Sequence, residues 1–151
     1  LARAFGMVVI GHDPVLPTDH SGWSETATER VALEALFAKA DAVTLHVPLT
    51  EATRGLVDAA CLAGMKPGAV LVNTSRGGVV EEAALAAALR AGRLGGAALD
   101  VFETEPLPAG SPLAGCPNLL LTPHIAGVTA ESNIRVSSLI AERVLVALAM
   151  A

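Results

Sequence analysis

A chain of 151 residues suits one domain with a sizeable core. Apolar residues make up 52%, charged residues 17% and aromatics 3%, so that core is aliphatic and disorder is not expected. The net charge of −5, with no block of Lys or Arg, argues against nucleic acid as a partner, and the longest apolar run, Val144 to Ala151, is far short of the ~20 residues of a membrane-spanning helix. Cys61 and Cys116 lie far apart without a CxxC or a His companion. Neither a disulfide framework nor a metal site is expected, and both thiols suit a reducing, cytoplasmic setting. No charged segment precedes a hydrophobic stretch, so no secretory signal is read. The first residue is Leu1 rather than Met, which reads as a piece of a longer chain.

In chain order, apolar periodicity alternates between strand-like runs and helix-like faces. Met7 to Ile10 predicts a strand closed by Gly11-His12-Asp13-Pro14. Pro14 to Glu29, polar and turn-rich around Trp23, is the longest connection with no assigned element. Leu33 to Lys39 predicts a short amphipathic helix, and Ala42 to Val47 a strand ended by Pro48. Val57 to Ala63 reads as a turn or two of helix before Lys66-Pro67-Gly68, and Ala69 to Val72 as a strand before Asn73. Val80 to Ala91 is the clearest helix: Glu81 and Glu82 open it, Arg90 stands near its end, and Gly92 lies just past it. That arrangement complements the helix dipole and supplies a C-terminal glycine. Gly95 to Leu99 and Leu119 to Leu121 predict strands before Asp100 and Thr122-Pro123, and Thr129 to Ala149 a last helix. Short, almost continuously apolar strands predict a parallel sheet buried on both faces. Strand and helix in alternation predict one α/β domain, a Rossmann-type doubly wound sheet.

In an open α/β sheet, ligands bind beyond the carboxyl ends of the strands. Polar residues gather at those ends: His12-Asp13, His46, Asn73 to Arg76, Asp100 to Glu105, and His124. Scattered surface placement would not give this set. Asp13 has two readings, an acceptor for the adenosine ribose hydroxyls of a dinucleotide or a turn-former before Pro14. Arg76-Gly77-Gly78 lacks the GxGxxG spacing of a phosphate loop. His12 and His20 read as loop residues facing solvent, and the two cysteines as inert small side chains.

The segments HVPLTEATRGL (His46 to Leu56), MKPGAVLVNTSRG (Met65 to Gly77), AALDVFETEP (Ala97 to Pro106) and LTPHIAGVT (Leu121 to Thr129) resemble the D-isomer-specific 2-hydroxyacid dehydrogenases. Phosphoglycerate, glyoxylate/hydroxypyruvate, D-lactate and formate dehydrogenases belong to that group. The motifs stand in the right order along nearly the whole chain. The resemblance implies an NAD-dependent oxidoreductase acting on a 2-hydroxy or 2-keto acid. It puts the family's catalytic Arg, Glu and His at Arg76, Glu105 and His124, with Glu103 as the competing carboxylate. Arg76 would hold the substrate carboxylate bidentately and polarise the carbonyl. His124 would exchange a proton with the substrate oxygen, and Glu105 would fix the imidazole tautomer.

The resemblance further implies that His46, Val47 and Pro48 wall the adenosine half of the cofactor, and it puts Thr53 in the cofactor-binding set. It sets Thr74, Ser75, Arg76, Asp100, His124, Ala126 and Gly127 at the nicotinamide end, and implies a homodimer. His46 itself reads as structural. Asp13, with no Arg after it, favours NAD over NADP. His124 to Asn133 is similar to a hydroxyacid or sulfolactate dehydrogenase subgroup. Against the family pattern, residues 1–151 read as an NAD-binding domain lacking its first strand, its glycine loop and the substrate-binding domain. The isolated chain is therefore expected to turn over weakly or not at all, with two sheet edges open where the central strand would bridge them. Two other readings compete: a non-catalytic NAD-binding remnant, and a corepressor-type relative acting through protein partners. Retention of Arg76, Glu105 and His124 together disfavours the second.

Overall fold

The computed structural model describes residues 1–149; residues 150 and 151, which end both the Val144 to Ala151 run and the 1–151 domain, lie outside the described residues. Four strands, β3 (Ala42–Leu45), β4 (Val70–Asn73), β5 (Gly96–Leu99) and β6 (Leu119–Leu121), form a parallel sheet in that order. Pairing puts Val43 beside Leu71, Leu71 beside Ala97, and Ala97 beside Leu119. Because side chains alternate along a strand, this row and the Leu45–Asn73–Leu99 row share one face. That face is the core: Val43, Leu45, Leu71, Asn73, Ala97 and Leu99 are all buried.

Three helices cover it, α2 (Leu33–Lys39), α3 (Ala59–Gly64) and α4 (Glu82–Arg90), with α2 packed on α3 and α3 on α4. Phe37, Leu62, Leu85 and Leu89 project from them into the same apolar cluster as the strands. Their termini are sealed locally. Asp58 caps α3 by accepting from the Cys61 N–H at 2.7 Å. Gly92, at φ 64°, turns the chain out of α4, and the Arg90 guanidinium donates to the carbonyls of Pro112 and Ala114.

The opposite face departs from the sequence expectation. Its row, Thr44–Val72–Ala98–Leu120, is only partly covered, and Leu120 is 63% exposed. Among the described residues the core-forming helices lie together on one face, so burial is one-sided. The long helix α5 (Ala130–Ala149) has no buried residue and leaves Ile134, Leu145 and Leu148 exposed.

The N-terminal region differs too. Of the run Met7 to Ile10, only Ile10 enters a strand: β1 (Ile10–Gly11) pairs in parallel with β2 (Glu29–Arg30), apart from the four-stranded sheet. Hydrogen bonds from Glu29 N–H to Val9 O and from Val31 N–H to Gly11 O fix that pairing. β2 consists of two charged residues, so no apolar pattern announces it. The connection from Pro14 to Glu29, to which the sequence assigns no element, holds a five-residue helix, α1 (Ser21–Glu25), capped by His20 Nδ1, which accepts from the Gly22 N–H. The Trp23 indole N–H donates to Pro17 O at 2.9 Å and closes the loop before it.

One comparison tests the one-sided core. Leu71→Ala removes a fully buried side chain and is expected to lower unfolding free energy by about 2–5 kcal/mol. Leu120→Ala, on the open face, should change it by less than about 0.5 kcal/mol. Urea denaturation of the two variants checks this.

Candidate active site

The three neighbouring strands β4, β5 and β6 each end in a loop that carries part of the site. After β4, Asn73 bends the chain. Its Oδ1 accepts from the Ser75 N–H at 3.0 Å and the Ser75 hydroxyl at 2.7 Å, and its Nδ2 donates to Arg76 O. The buried Asn73 thereby satisfies the backbone of the turn from Thr74 to Arg76 and leaves the Arg76 side chain exposed. One Arg76 N–H donates to Ser75 O at 2.6 Å, and the other guanidinium donors remain for a ligand.

Gly77 follows because nothing larger fits: a Cβ there would lie 1.7 Å from Phe102 O. The β4 loop is thus pressed directly against the β5 loop. In the β5 loop, Glu105 faces two ways. Its Oε1 accepts from the Phe102 N–H at 3.0 Å, and its Oε2 meets His124 Nδ1 at 2.8 Å. The bond to His124, then that to Phe102, holds the Glu105 carboxyl below the ordinary carboxylate pKa. Glu103 turns elsewhere, accepting from the Glu82 N–H at the start of α4. The choice between the two carboxylates is therefore made by geometry, and Glu105 is the one at the histidine.

The β6 loop presents His124 in the left-handed backbone region at φ 56°. For a residue other than glycine this costs of order 1–3 kcal/mol, and it persists only when the surroundings enforce it. Asp100 does so. Its Oδ1 accepts from the Thr122 hydroxyl and the Ile125 N–H, and its Oδ2 from the Ala126 N–H at 2.8 Å. Burial alone would raise the Asp100 pKa, but the Thr122 hydroxyl and the two amides outweigh it and hold the carboxyl below its ordinary value.

Two hollows adjoin these loops. One, of about 600 Å³, lies beside the Glu105–His124 pair and is walled by Phe102, Pro106, Leu107, Leu121 and Pro123. The other, of about 340 Å³, runs over the ends of β3 and β4 between His46-Val47-Pro48 and Thr74-Ser75-Arg76. The second brings together six of the twelve residues expected at a cofactor, from the ends of β3 and β4. His46 Nε2 pairs with the Thr44 hydroxyl at 3.0 Å, and Thr53 closes the loop below by donating to Pro48 O. Gly127 has open space where a side chain would stand.

Asp13 uses one oxygen in its own turn, accepting from the Val15 and Leu16 amides, so the turn-forming reading is realised. Its second oxygen has no partner among the described residues and can receive a ribose hydroxyl, so both readings are compatible. Asp100 likewise retains acceptor capacity beyond its three bonds. The donor and acceptor set fits a dinucleotide. His12 is half-buried rather than solvent-facing, with Nδ1 3.1 Å from Val31 O. Burial, then Asp58 and Glu34, raises the Cys61 thiol pKa, which keeps it protonated and unreactive near neutral pH. No cluster of metal-ligating side chains, and no helix long and apolar enough to cross a membrane, occurs among the described residues.

Asn73, named in the sequence only among the strand-end polar groups, and Glu103, named only as the competing carboxylate, acquire their roles as a turn brace and a helix-start acceptor from the structure. Asn73 stands inside a recognised motif, and its amide at a strand end was the available signal.

Residues 1–126 match the family model of the D-isomer specific 2-hydroxyacid dehydrogenase, NAD binding domain. The chain is 57% identical over 136 residues to the (S)-sulfolactate dehydrogenase of Chromohalobacter salexigens, covering 90% of this chain and 44% of that protein. It is 40% identical over 144 residues to the D-3-phosphoglycerate dehydrogenase of Synechocystis sp., covering 95% of this chain and 26% of the relative. Among solved structures, the D-lactate dehydrogenase of Aquifex aeolicus, complexed with NAD and lactic acid, superposes with a TM-score of 0.83. It is 32% identical, with 97% of this chain and 47% of that one covered. The chain spans less than half the length of these relatives.

The Asp100 tether gives a pH-dependent expectation. A carboxyl whose pKa is lower folded than unfolded stabilises the fold fully above the unfolded value, about 3.9, and loses that contribution as pH falls through the folded value. Asp100→Asn should cost about 1–3 kcal/mol at pH 7. The gap between variant and parent should narrow as pH drops below about 4. Urea midpoints measured across that range test it, and a gap independent of pH would contradict the ionised tether.

Proposed function

The chain belongs to the D-isomer specific 2-hydroxyacid dehydrogenases as their NAD-binding domain, and from that premise we propose that it carries the catalytic residues for NAD-dependent interconversion of a 2-hydroxy acid and its 2-keto acid. The observation that carries the proposal is the 2.8 Å contact between His124 Nδ1 and Glu105 Oε2, on a loop adjoining that of Arg76. NAD, when bound, would supply the hydride acceptor for the substrate C2, and its reduced form the donor.

The chain's own residues do the rest. Arg76, exposed and with most of its donors free, binds the substrate carboxylate and draws electron density from the neighbouring carbonyl. His124 uses Nε2, since Nδ1 is engaged, to give a proton to the carbonyl oxygen during reduction and to take it from the hydroxyl during oxidation. Glu105 accepts from Nδ1–H, so the neutral imidazole carries its lone pair on Nε2, where a base is needed. The imidazolium formed after proton uptake then sits beside a carboxylate. Asp13, His46, Val47, Pro48 and Thr53 hold the adenosine half. Thr74, Ser75, Asp100, Ala126 and Gly127 hold the nicotinamide half. Asp13 disfavours a 2′-phosphate at the ribose, which supports NAD over NADP. We extend the proposal to a homodimer in the cytoplasm, in keeping with two free cysteines.

The name of the Chromohalobacter relative makes a sulfonated 2-hydroxy acid the first substrate to try. The test is a chimera in which this chain replaces the matching segment of that relative. It should oxidise a 2-hydroxy acid with NAD; His124→Gln should lower kcat about 10²–10⁴-fold. Arg76→Lys should lower kcat/KM through loss of bidentate binding. A folded chimera that binds NADH but turns over no 2-hydroxy acid, or a His124→Gln chimera at full rate, would mean a non-catalytic module instead.

A further inference from the structure

The loop that carries Glu105 is fastened to the start of α4 by two reciprocal bonds. The Glu103 N–H donates to Glu82 Oε1 at 2.7 Å, and the Glu82 N–H donates to Glu103 Oε1 at 3.0 Å. The two residues differ in what they give up. Glu103 is exposed and supplies an acceptor to an orphan amide at a helix start, a site that favours negative charge. Glu82 is only 6% exposed, although a glutamate in a first helical turn ordinarily reaches water. Burial, the largest influence, pushes its pKa up; the Glu103 N–H pulls it down, and the nearby Glu103 charge adds to the rise. The neighbouring Glu81, at the N-cap position, makes no side-chain capping bond. The buried carboxyl therefore serves the β5 loop rather than its own helix.

From that placement we propose that Glu82 is a positioning residue for the Glu105–His124 pair, acting through the Glu103 backbone. The bond to Glu103 N–H lies two residues before Glu105 and one after Phe102. Phe102 is itself fixed on both sides: its carbonyl abuts Gly77 and its N–H donates to Glu105 Oε1. With Glu82 in place, the segment leading to Glu105 is held at two successive amides, Phe102 N–H by Glu105 Oε1 and Glu103 N–H by Glu82 Oε1. Without it, Glu103 loses its buried acceptor and the segment is free to shift by the few tenths of an ångström that separate a good hydrogen bond from a poor one.

The proposal rests on the reading of Glu105 and His124 as the reacting pair, and its test is made on the pair itself, without turnover. In the full chain with ¹⁵N-labelled histidine, the imidazole tautomer of His124 is read by NMR at about pH 8.5, two units above the ordinary imidazole value. His124→Gln identifies the resonances by their loss. The parent should show Nδ1–H as the major tautomer, and Glu105→Ala should lose it in favour of Nε2–H. Glu82→Ala, and Glu82→Met as an apolar filler of similar length, should shift towards the Glu105→Ala spectrum. Glu82→Gln, whose amide oxygen still accepts from Glu103, should match the parent. A folded Glu82→Ala or Glu82→Met with the parent tautomer would overturn the proposal, and so would a Glu82→Gln spectrum like that of Glu105→Ala. Loss of turnover in the chimera with an intact tautomer response would instead count against the enzymatic reading alone.

Discussion

The carboxylate of Asp100 is the interaction on which the arrangement of the β6 loop depends. It stands at the end of β5, buried, and gathers the Thr122 hydroxyl and the amides of Ile125 and Ala126. Those partners lie on both sides of His124, whose backbone is in a conformation that non-glycine residues avoid. A charged acceptor in a dry position makes strong bonds, and breaking any of them leaves a buried ion short of partners. The local strain is therefore outweighed next door, and the imidazole is carried on a loop with little freedom to relax. A neutral or exposed residue at 100 would provide no comparable restraint.

Strand order then explains how separate parts of the chain come to share one site. β5 lies between β4 and β6, and its loop touches both neighbours. Towards β4, Phe102 O lies so close to Gly77 that no side chain fits there. Towards β6, Asp100 and Glu105 reach the His124 loop. The β5 loop thus sets the distance between the segment bearing Arg76 and the segment bearing His124. A parallel sheet makes this possible because all its strands end at the same edge. The one-sided core is sufficient for it, since Leu71, Leu99 and the helices α2 to α4 fix the strands from a single face.

Much of this was legible in the sequence, and the rest was not, for separate physical reasons. The strands of the main sheet, the helix α4 and the residues Arg76, Glu105 and His124 follow from local pattern or ordered motif. α1 and β2 escaped because five residues carry no helical stripe and Glu29-Arg30 carries no apolar alternation. The expectation of two buried faces came from continuous apolar runs, which do not tell a covered face from an open one: Leu120 and Leu99 look alike in sequence, yet one is largely exposed and the other buried. The bonds that shape the site were invisible for another reason. Glu82 to Glu103 spans 21 residues, and Asp100 to Ile125 spans 25. Pattern reading works within a turn or a strand, whereas these contacts exist only once strand order has placed three loops side by side.

Glu103 and Glu105 show what that difference means for chemistry. Two glutamates two residues apart, in a loop of similar exposure, have equal claim to the histidine when only composition is considered. In the folded chain one faces the N-terminus of α4, where helix amides favour its charge, and the other faces an imidazole. Each carboxylate is engaged where it stands, and neither can leave its place without leaving an amide or an imidazole unpartnered. The helix start thus does more than satisfy its own backbone. By engaging Glu103 it removes the competing carboxylate from the site, and Glu105 is left as the carboxylate hydrogen-bonded to the His124 imidazole.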